Sequence, residues 1–205
     1  MTVDWLTSAP IAHRGLHDLK AGVPENSLAA IEASCLAGLP IELDVRILGD
    51  RTVVVFHDKD LKRVANDLRR LSNLGKADIS KISLLGTAER IPTLAQTLDL
   101  VAGRVPLLIE IKNDHHHAGA LEQQLYQQVK NYRGEFAVIS FNPISLSWFA
   151  RRYPNILRGQ TSSHLPVLRL DYLAPVHAGL KHLAFNSLSQ PHFIIYNHRG
   201  LTMRA

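Results

Sequence analysis

The sequence predicts an α/β protein, a (β/α) barrel of parallel strands with helices outside. Two observations carry this prediction. Short apolar, β-branched runs alternate with helical patterns along the chain, which is typical of parallel sheets. Seven strand patterns within 205 residues, with no obvious second hydrophobic core, favour one barrel over an open sheet.

The predicted elements follow one another in a regular order. The strands cover residues 10–13, 41–47, 53–57, 105–112, 136–141, 156–161 and 182–186. The helices cover residues 27–37, 93–102, 119–132, 144–152 and 190–198. Ser27 and Thr93 are suited to cap the first two helices, and Gly38 and Gly103 to end them. Residues 58–91 form a long charged connection, with short helices expected at 68–74 and 79–84, and such long loops usually carry function or structure.

Composition predicts a soluble protein of the cytoplasm. Hydrophobic residues make up 46% of the chain, which is ordinary for a globular domain. The first residues lack the features of a secretory signal, and no run approaches the ~20 apolar residues of a membrane span. Cys35, the single cysteine, cannot form an intrachain disulfide. The net charge of +5 comes from scattered basic residues, which argues against nucleic acid and is compatible with an anionic substrate.

Charged residues cluster near the C-terminal ends of four predicted strands. They are His13, Arg14, Glu42, Asp44, His57, Glu110 and Lys112. Glu42 and Asp44 are two residues apart, so a strand places both carboxylates on one face, and Glu110 and Lys112 repeat this spacing. In a parallel barrel these strand ends open on the same face, where active sites lie.

These side chains suit a phosphate ester bound beside a divalent cation. Glu42, Asp44 and Glu110 make a hard oxygen site that favours Mg²⁺ or Ca²⁺ over zinc. The two histidines can serve as general acid and base near neutral pH. Arg14 and Lys112 supply positive charge for an anion. For any one carboxylate a structural ion pair with Lys112 is the alternative, but it explains the whole set less well.

The ordered motifs resemble those of the glycerophosphodiester phosphodiesterase family. They are HRG at 13–15, PENS at 24–27, ELDV at 42–45, HD at 57–58 followed by Leu61 and Arg63, IPTL at 91–94 and EIK at 110–112. The match continues weakly through residues 140–141 and 185–186, so it covers nearly the whole chain. Each motif alone is weak, whereas the ordered set is highly specific.

The resemblance implies a TIM barrel that cleaves glycerophosphodiesters to sn-glycerol 3-phosphate and an alcohol, using Ca²⁺ or Mg²⁺. By matching positions, it implies Glu42, Asp44 and Glu110 as metal ligands, His13 and His57 as the acid-base pair, and Arg14 and Lys112 as phosphate-binding residues. In the mechanism usually proposed for the family, the glycerol 2-hydroxyl attacks phosphorus and a cyclic phosphate forms. Which histidine is the acid stays open.

The chain departs from the family at its C-terminal end. Family members usually add a last strand and helix after a segment similar to residues 192–205. We therefore expect a single domain over residues 1–205, a (β/α)8 barrel short of its last strand and helix. Three explanations stay open. The chain is truncated, or a partner chain or swapped segment completes the barrel, as in a homo-oligomer, or the true strand count differs.

Three other functions stay open at this point. A lysophospholipase D-like activity on lysophospholipids would use the same site. Residues 58–91 are too short for the inserted domain that some family members have, and a pocket without that cover would admit bulkier substrates. A non-catalytic phosphate-binding barrel would fit an incomplete barrel. An acidic triad with a lysine also serves metal-assisted proton abstraction, although the two histidines beside Arg14 argue against it.

Overall fold

A computed structural model describes residues 3–114, 117–163, 179 and 181–197. The chain divides into two compact units. The first contains Met1–Glu110 and Ala120–Phe136, and the second contains Ile111–Gly119 and Ala137–Ala205. Within the described ranges, no helix has the length and apolar character needed to cross a membrane.

The sheet of the first unit is organised around its second strand. Its strands are β1 (Ala12–His13), β2 (Ile41–Ile47), β3 (Val53–Val55) and β4 (Leu107–Ile111). β2 lies between β1 and β4, and it pairs in parallel with β1 so that His13 lies beside Glu42. Ile41, Leu43 and Val45 of β2 are buried completely, as expected for a strand covered on both faces. The two functional candidates on β1 and β2 therefore come together through strand register alone.

The third strand is antiparallel to β2, and the prediction that it is parallel is wrong. Val54 lies opposite Arg46 in this pair. Residues 48–52 alone connect the two strands. A parallel crossover needs about a dozen residues or more, so this connection can only close a hairpin.

Helices and short turns cover the strands of the first unit. They are α1 (Trp5–Ser8), α2 (Leu28–Leu36), α3 (Lys62–Ala65), α4 (Lys76–Ile79), α5 (Leu94–Val101) and α6 (Ala120–Val129), with 3₁₀ turns at Leu19–Ala21 and Leu71–Asn73. The predicted caps are present. Ser27 Oγ accepts a hydrogen bond from the Ala30 amide at 3.1 Å, and Thr93 forms a reciprocal capping box with Gln96.

The connection over residues 58–91 has its own small core. It holds α3, one 3₁₀ turn and α4. The helices predicted at 68–74 and 79–84 are wrong, because the first range contains only the 3₁₀ turn and α4 ends at Ile79. Its apolar side chains form a buried group with residues of the β2–β3 hairpin, which we call the connection core: Leu48, Val54, Phe56, Leu61, Val64, Leu71, Leu74, Ile79, Ile82, Leu84 and Ile91. Packing of these separated side chains, rather than a periodic helical face, holds the connection in place.

The second unit contains parallel strands and two described helices. The strands are β5 (Phe136–Ser140), β6 (Arg158–Ser162) and β7 (Phe193–Tyr196), and the helices are α7 (Pro143–Arg152) and α8 (Asn186–Ser189). β6 pairs in parallel with both β5 and β7. α7 confirms the helix predicted at 144–152, and Asn142 is its N-cap.

The last two predicted elements are wrong. Residues 182–186 were expected to form a strand, but residues 182–185 form turns and Asn186 begins α8. Residues 190–198 were expected to form a helix, but Phe193–Tyr196 forms β7. Two adjacent isoleucines favour a strand there, and pairing with Gly159 and its neighbours on β6 fixes it. His198 and the residues after it lie outside the described ranges.

Candidate active site

Three buried carboxylates of the first unit lie together. Glu42 and Asp44 share one face of β2, and Glu110 comes from neighbouring β4. They are 6%, 0% and 6% exposed. One carboxylate oxygen from each lies within 4.8 Å of the others. Three buried negative charges at this distance are costly without a cation, so the donor set fits a hard divalent ion.

Neighbouring polar groups hold the two β2 carboxylates in position. Asn26 Nδ2 donates a hydrogen bond to Asp44 Oδ2 at 2.9 Å. The Arg14 amide donates to Glu42 Oε2 at 3.1 Å. Arg14 Nε lies 3.2 Å from Asp44 Oδ2, close enough for an ion pair. These contacts orient the carboxylates before any ion binds, which is how residues outside the ligand set tune a metal site.

The connection from β1 to α2 places Arg14, Gly15 and Asn26, which lie near the carboxylates or α2, in left-handed backbone conformations. Their φ angles are +61° at Arg14, +80° at Gly15 and +55° at Asn26. A Cβ at Gly15 would lie 2.9 Å from the carbonyl carbon and oxygen of Ala30, so only glycine fits against α2. Left-handed non-glycine residues are strained and tend to occur at functional sites. The strain here serves to present Arg14 to the carboxylates.

The two predicted catalytic histidines differ in their surroundings. The His13 side chain is 69% exposed, and its Nε2 lies 4.0 Å from Glu42 Oε2. The His57 side chain is 32% exposed, and its Nδ1 lies 2.7 Å from Asp58 Oδ1. An ionised carboxylate only accepts hydrogen bonds, so Nδ1 of His57 carries a proton and Nε2 is the nitrogen left for proton transfer.

An alternating series of charges links the β1 turn to His57, and we call it the ion-pair chain: Arg14, Glu25, Arg63, Asp58 and His57. Arg14 Nη1 donates to Glu25 Oε1 at 2.8 Å. Burial alone would raise the pKa of Asp58, but hydrogen bonds from His57 and Arg63 outweigh it and hold that pKa far below its usual value. Burial also opposes ionisation of Glu25, and Arg63 and Arg14 likewise lower its pKa.

Lys112 is the one predicted site residue that belongs to the second unit. Its Nζ lies 5.9 Å from the centroid of the Phe141 ring, a cation-π contact within that unit. The phosphate-binding role of Lys112 stays a prediction.

Sequence reasoning missed the roles of Asn26 and Arg63. Both stand in motifs that the sequence displays, Asn26 directly after Glu25 and Arg63 five residues after Asp58. Their positions within these motifs were the signal that could have indicated a role in the site. The hydrogen-bond partners of the two side chains depend on tertiary contacts, and no local pattern encodes them.

Comparison with known proteins identifies the family of this chain. Residues 13–193 match the model of the glycerophosphoryl diester phosphodiesterase family. A glycerophosphodiester phosphodiesterase of Caldanaerobacter subterraneus subsp. tengcongensis is 35% identical over 73% of this chain and 64% of its own length. A glycerophosphodiester phosphodiesterase of Bacillus altitudinis is 32% identical over 79% of this chain and 66% of its own length. The chain thus spans slightly less than two thirds of these relatives.

Solved structures support the same assignment at the level of the fold. A phosphodiesterase of Oleispira antarctica, solved with the product sn-glycerol-3-phosphate, matches with a TM-score of 0.67 at 21% identity and covers 96% of each chain. The solved structures of this group are TIM barrels, so the predicted fold class is confirmed. With a family model that spans residues 13–193 and relatives above 30% identity, this chain belongs to the glycerophosphoryl diester phosphodiesterase family.

Proposed function

We propose that this protein is a metal-dependent phosphodiesterase that hydrolyses glycerophosphodiesters to sn-glycerol 3-phosphate and an alcohol. The observation that carries the proposal is the buried triad of Glu42, Asp44 and Glu110, with Arg14 and His13 in contact with it. Family membership supports the same reaction, and one structural neighbour was solved with this product bound.

The triad residues Glu42, Asp44 and Glu110 would hold the divalent cation. All three donors are carboxylates, which suits Mg²⁺ or Ca²⁺ better than zinc. When bound, such an ion offsets phosphate charge and acts as a Lewis acid. Arg14 would add a guanidinium to phosphate binding from the same turn, and we assign Lys112 the same task.

The two histidines would divide the proton transfers. His57 Nε2 takes the proton of the glycerol 2-hydroxyl as its oxygen bonds to phosphorus. The Asp58 carboxylate favours this assignment, because it stabilises the imidazolium that forms. His13 then donates a proton to the leaving alkoxide as the bond between that oxygen and phosphorus breaks. Water then attacks phosphorus and the bond from phosphorus to the glycerol 2-oxygen breaks. His13 takes a proton from the water and His57 returns one to the 2-oxygen, which leaves sn-glycerol 3-phosphate.

Release of sn-glycerol 3-phosphate from glycerophosphocholine tests the proposal. Chelator-treated protein should be inactive, and added Ca²⁺ or Mg²⁺ should restore turnover. Glu42→Gln and His57→Gln should each lower kcat by about 10²-fold or more. Arg69→Gln is the matched control, because exposed Arg69 pairs with Asp67 in the same connection and its replacement should leave turnover unchanged. Full turnover in chelator, or in His57→Gln, would refute the mechanism.

Choline release from two substrates separates the proposal from its alternatives. Lysophosphatidylcholine offered beside glycerophosphocholine tests the lysophospholipase D-like activity, because that activity would release choline from the lysolipid. Bound cation and phosphate without turnover of either substrate would indicate the non-catalytic barrel instead. A preference for glycerophosphocholine is the result that supports the proposed function.

A further inference from the structure

We propose that Arg63 is a positioning residue that holds both the phosphate-binding Arg14 and the proton-transferring His57 in place. The inference rests on the proposed function, because it concerns the geometry of the same site. Arg63 itself contacts Glu25 and Asp58. It acts through Glu25 and Asp58, which in turn contact Arg14 and His57.

The guanidinium of Arg63 uses all three of its nitrogens on two different carboxylates. Nε donates to Asp58 Oδ2 at 2.6 Å. Nη1 and Nη2 donate to the two oxygens of Glu25 at 3.1 Å and 2.7 Å. The remaining oxygen of Asp58 meets His57, and Glu25 Oε1 also accepts from Arg14. A planar fork of fixed shape thus fixes the separation of the two carboxylates.

The backbone that carries Arg63 is anchored in the connection core. Leu61 and Val64, on either side of Arg63, are 0% and 3% exposed. The Leu85 amide donates to the Val64 carbonyl at 2.6 Å, and the Leu61 amide donates to the Arg69 carbonyl at 3.1 Å. The guanidinium therefore projects from a packed base although half of its side chain is open to solvent. This gives residues 58–91 a specific task in the site.

Charge complementarity explains why a cation is needed at this point. Glu25 and Asp58 are both held ionised, with pKa values below their usual range. Without Arg63, two partly buried carboxylates would face each other across an empty space, and each would turn towards water. Arg14 and His57 would then lose their fixed partners. Displacement of catalytic groups through an outer partner typically costs about 10–100-fold in activity.

Arg63→Gln and Arg63→Lys, with Arg69→Gln as matched control, test the inference on the full chain. We expect Arg63→Gln to lower kcat about 10-fold or more and also to raise KM, because it disturbs both His57 and Arg14. Asp58→Asn should mainly lower kcat and Glu25→Gln should mainly raise KM. Arg63→Lys should lie between wild type and Arg63→Gln, since a point charge cannot span both carboxylates. Equal kinetics in Arg63→Gln and Arg69→Gln would overturn the inference.

A spectroscopic measurement separates this inference from the proposed function. The His57 Nδ1–H proton should give a slowly exchanging NMR resonance in wild type and in Arg69→Gln, assigned by its loss in His57→Gln. It should be lost or broadened in Arg63→Gln, with Arg63→Lys used if the glutamine variant does not fold. Wild type that turns over no diester with any cation would refute the proposed function, while this resonance still decides the role of Arg63. An unchanged resonance in both Arg63 variants would overturn the inference.

Discussion

Replacement of Asn26 should weaken cation binding at the carboxylate site without changing a metal ligand. Asn26 is 2% exposed and donates to Asp44 Oδ2 at 2.9 Å. A hydrogen bond to a charged group contributes about 1.5–3 kcal/mol, and loss of a partner of a metal ligand typically costs about 10–100-fold in metal affinity. Asn26→Gly should therefore bind Mg²⁺ or Ca²⁺ about 10–100-fold more weakly. Because φ is +55° at Asn26, Asn26→Ala should add about 1–2 kcal/mol of backbone strain to the same loss.

Calorimetric titration of chelator-treated protein measures the affinity, and urea unfolding in chelator measures the strain. Asn66 supplies the matched control, because it has φ of +51° but lies at the exposed end of α3. Asn66→Gly should bind cations like wild type, while Asn66→Ala should show a similar strain relative to Asn66→Gly. Wild-type affinity in Asn26→Gly would refute the role given to Asn26, as would an equal loss in Asn66→Gly.

Two further predictions concern the turn after β1 and the response to acid. Gly15→Ala should lower the melting temperature and the turnover, because its Cβ would press on the Ala30 carbonyl, whereas Gly22→Ala, with φ of +78° and nothing within 4 Å, should show backbone strain alone. Equal losses in the two variants would contradict the close approach. The lowered pKa of Asp58 stabilises the fold above about pH 4, and this contribution is lost as pH falls towards the folded-state pKa, because the unfolded chain then binds more protons. The free energy of unfolding, measured with urea between pH 6 and about pH 3, should thus fall more steeply in wild type than in Asp58→Asn. Parallel curves would contradict this prediction.

Much of the candidate site could be predicted because strand geometry is local. The two-residue spacing of Glu42 and Asp44 fixes their shared face on β2, and β2 lies beside β4, which carries Glu110. The conformations that present Arg14 and Asn26 could not be predicted in the same way. Positive φ angles at non-glycine residues depend on the packing of the turn against α2 and β2.

The fold was harder to predict where short apolar runs leave the type of element open. Phe193–Tyr196 is a strand because β6 offers it a partner, and that partner is distant in sequence. The direction of β3 followed from the short connection at residues 48–52, which should have excluded a parallel strand. Within residues 58–91 the helices are single turns, too short for a periodic pattern to reveal.

The central claim is that Glu42, Asp44 and Glu110 hold a divalent cation in the site of a phosphodiesterase. Anomalous X-ray scattering from crystals of the full chain grown with Mn²⁺ would test it most directly, because Mn²⁺ replaces Mg²⁺ in oxygen sites and is located by its own signal. We predict one strong anomalous peak within bonding distance of a carboxylate oxygen from each of the three residues, lost in Asp44→Asn crystals. Absence of a peak among these carboxylates at saturating Mn²⁺, or a peak that persists in Asp44→Asn, would contradict it.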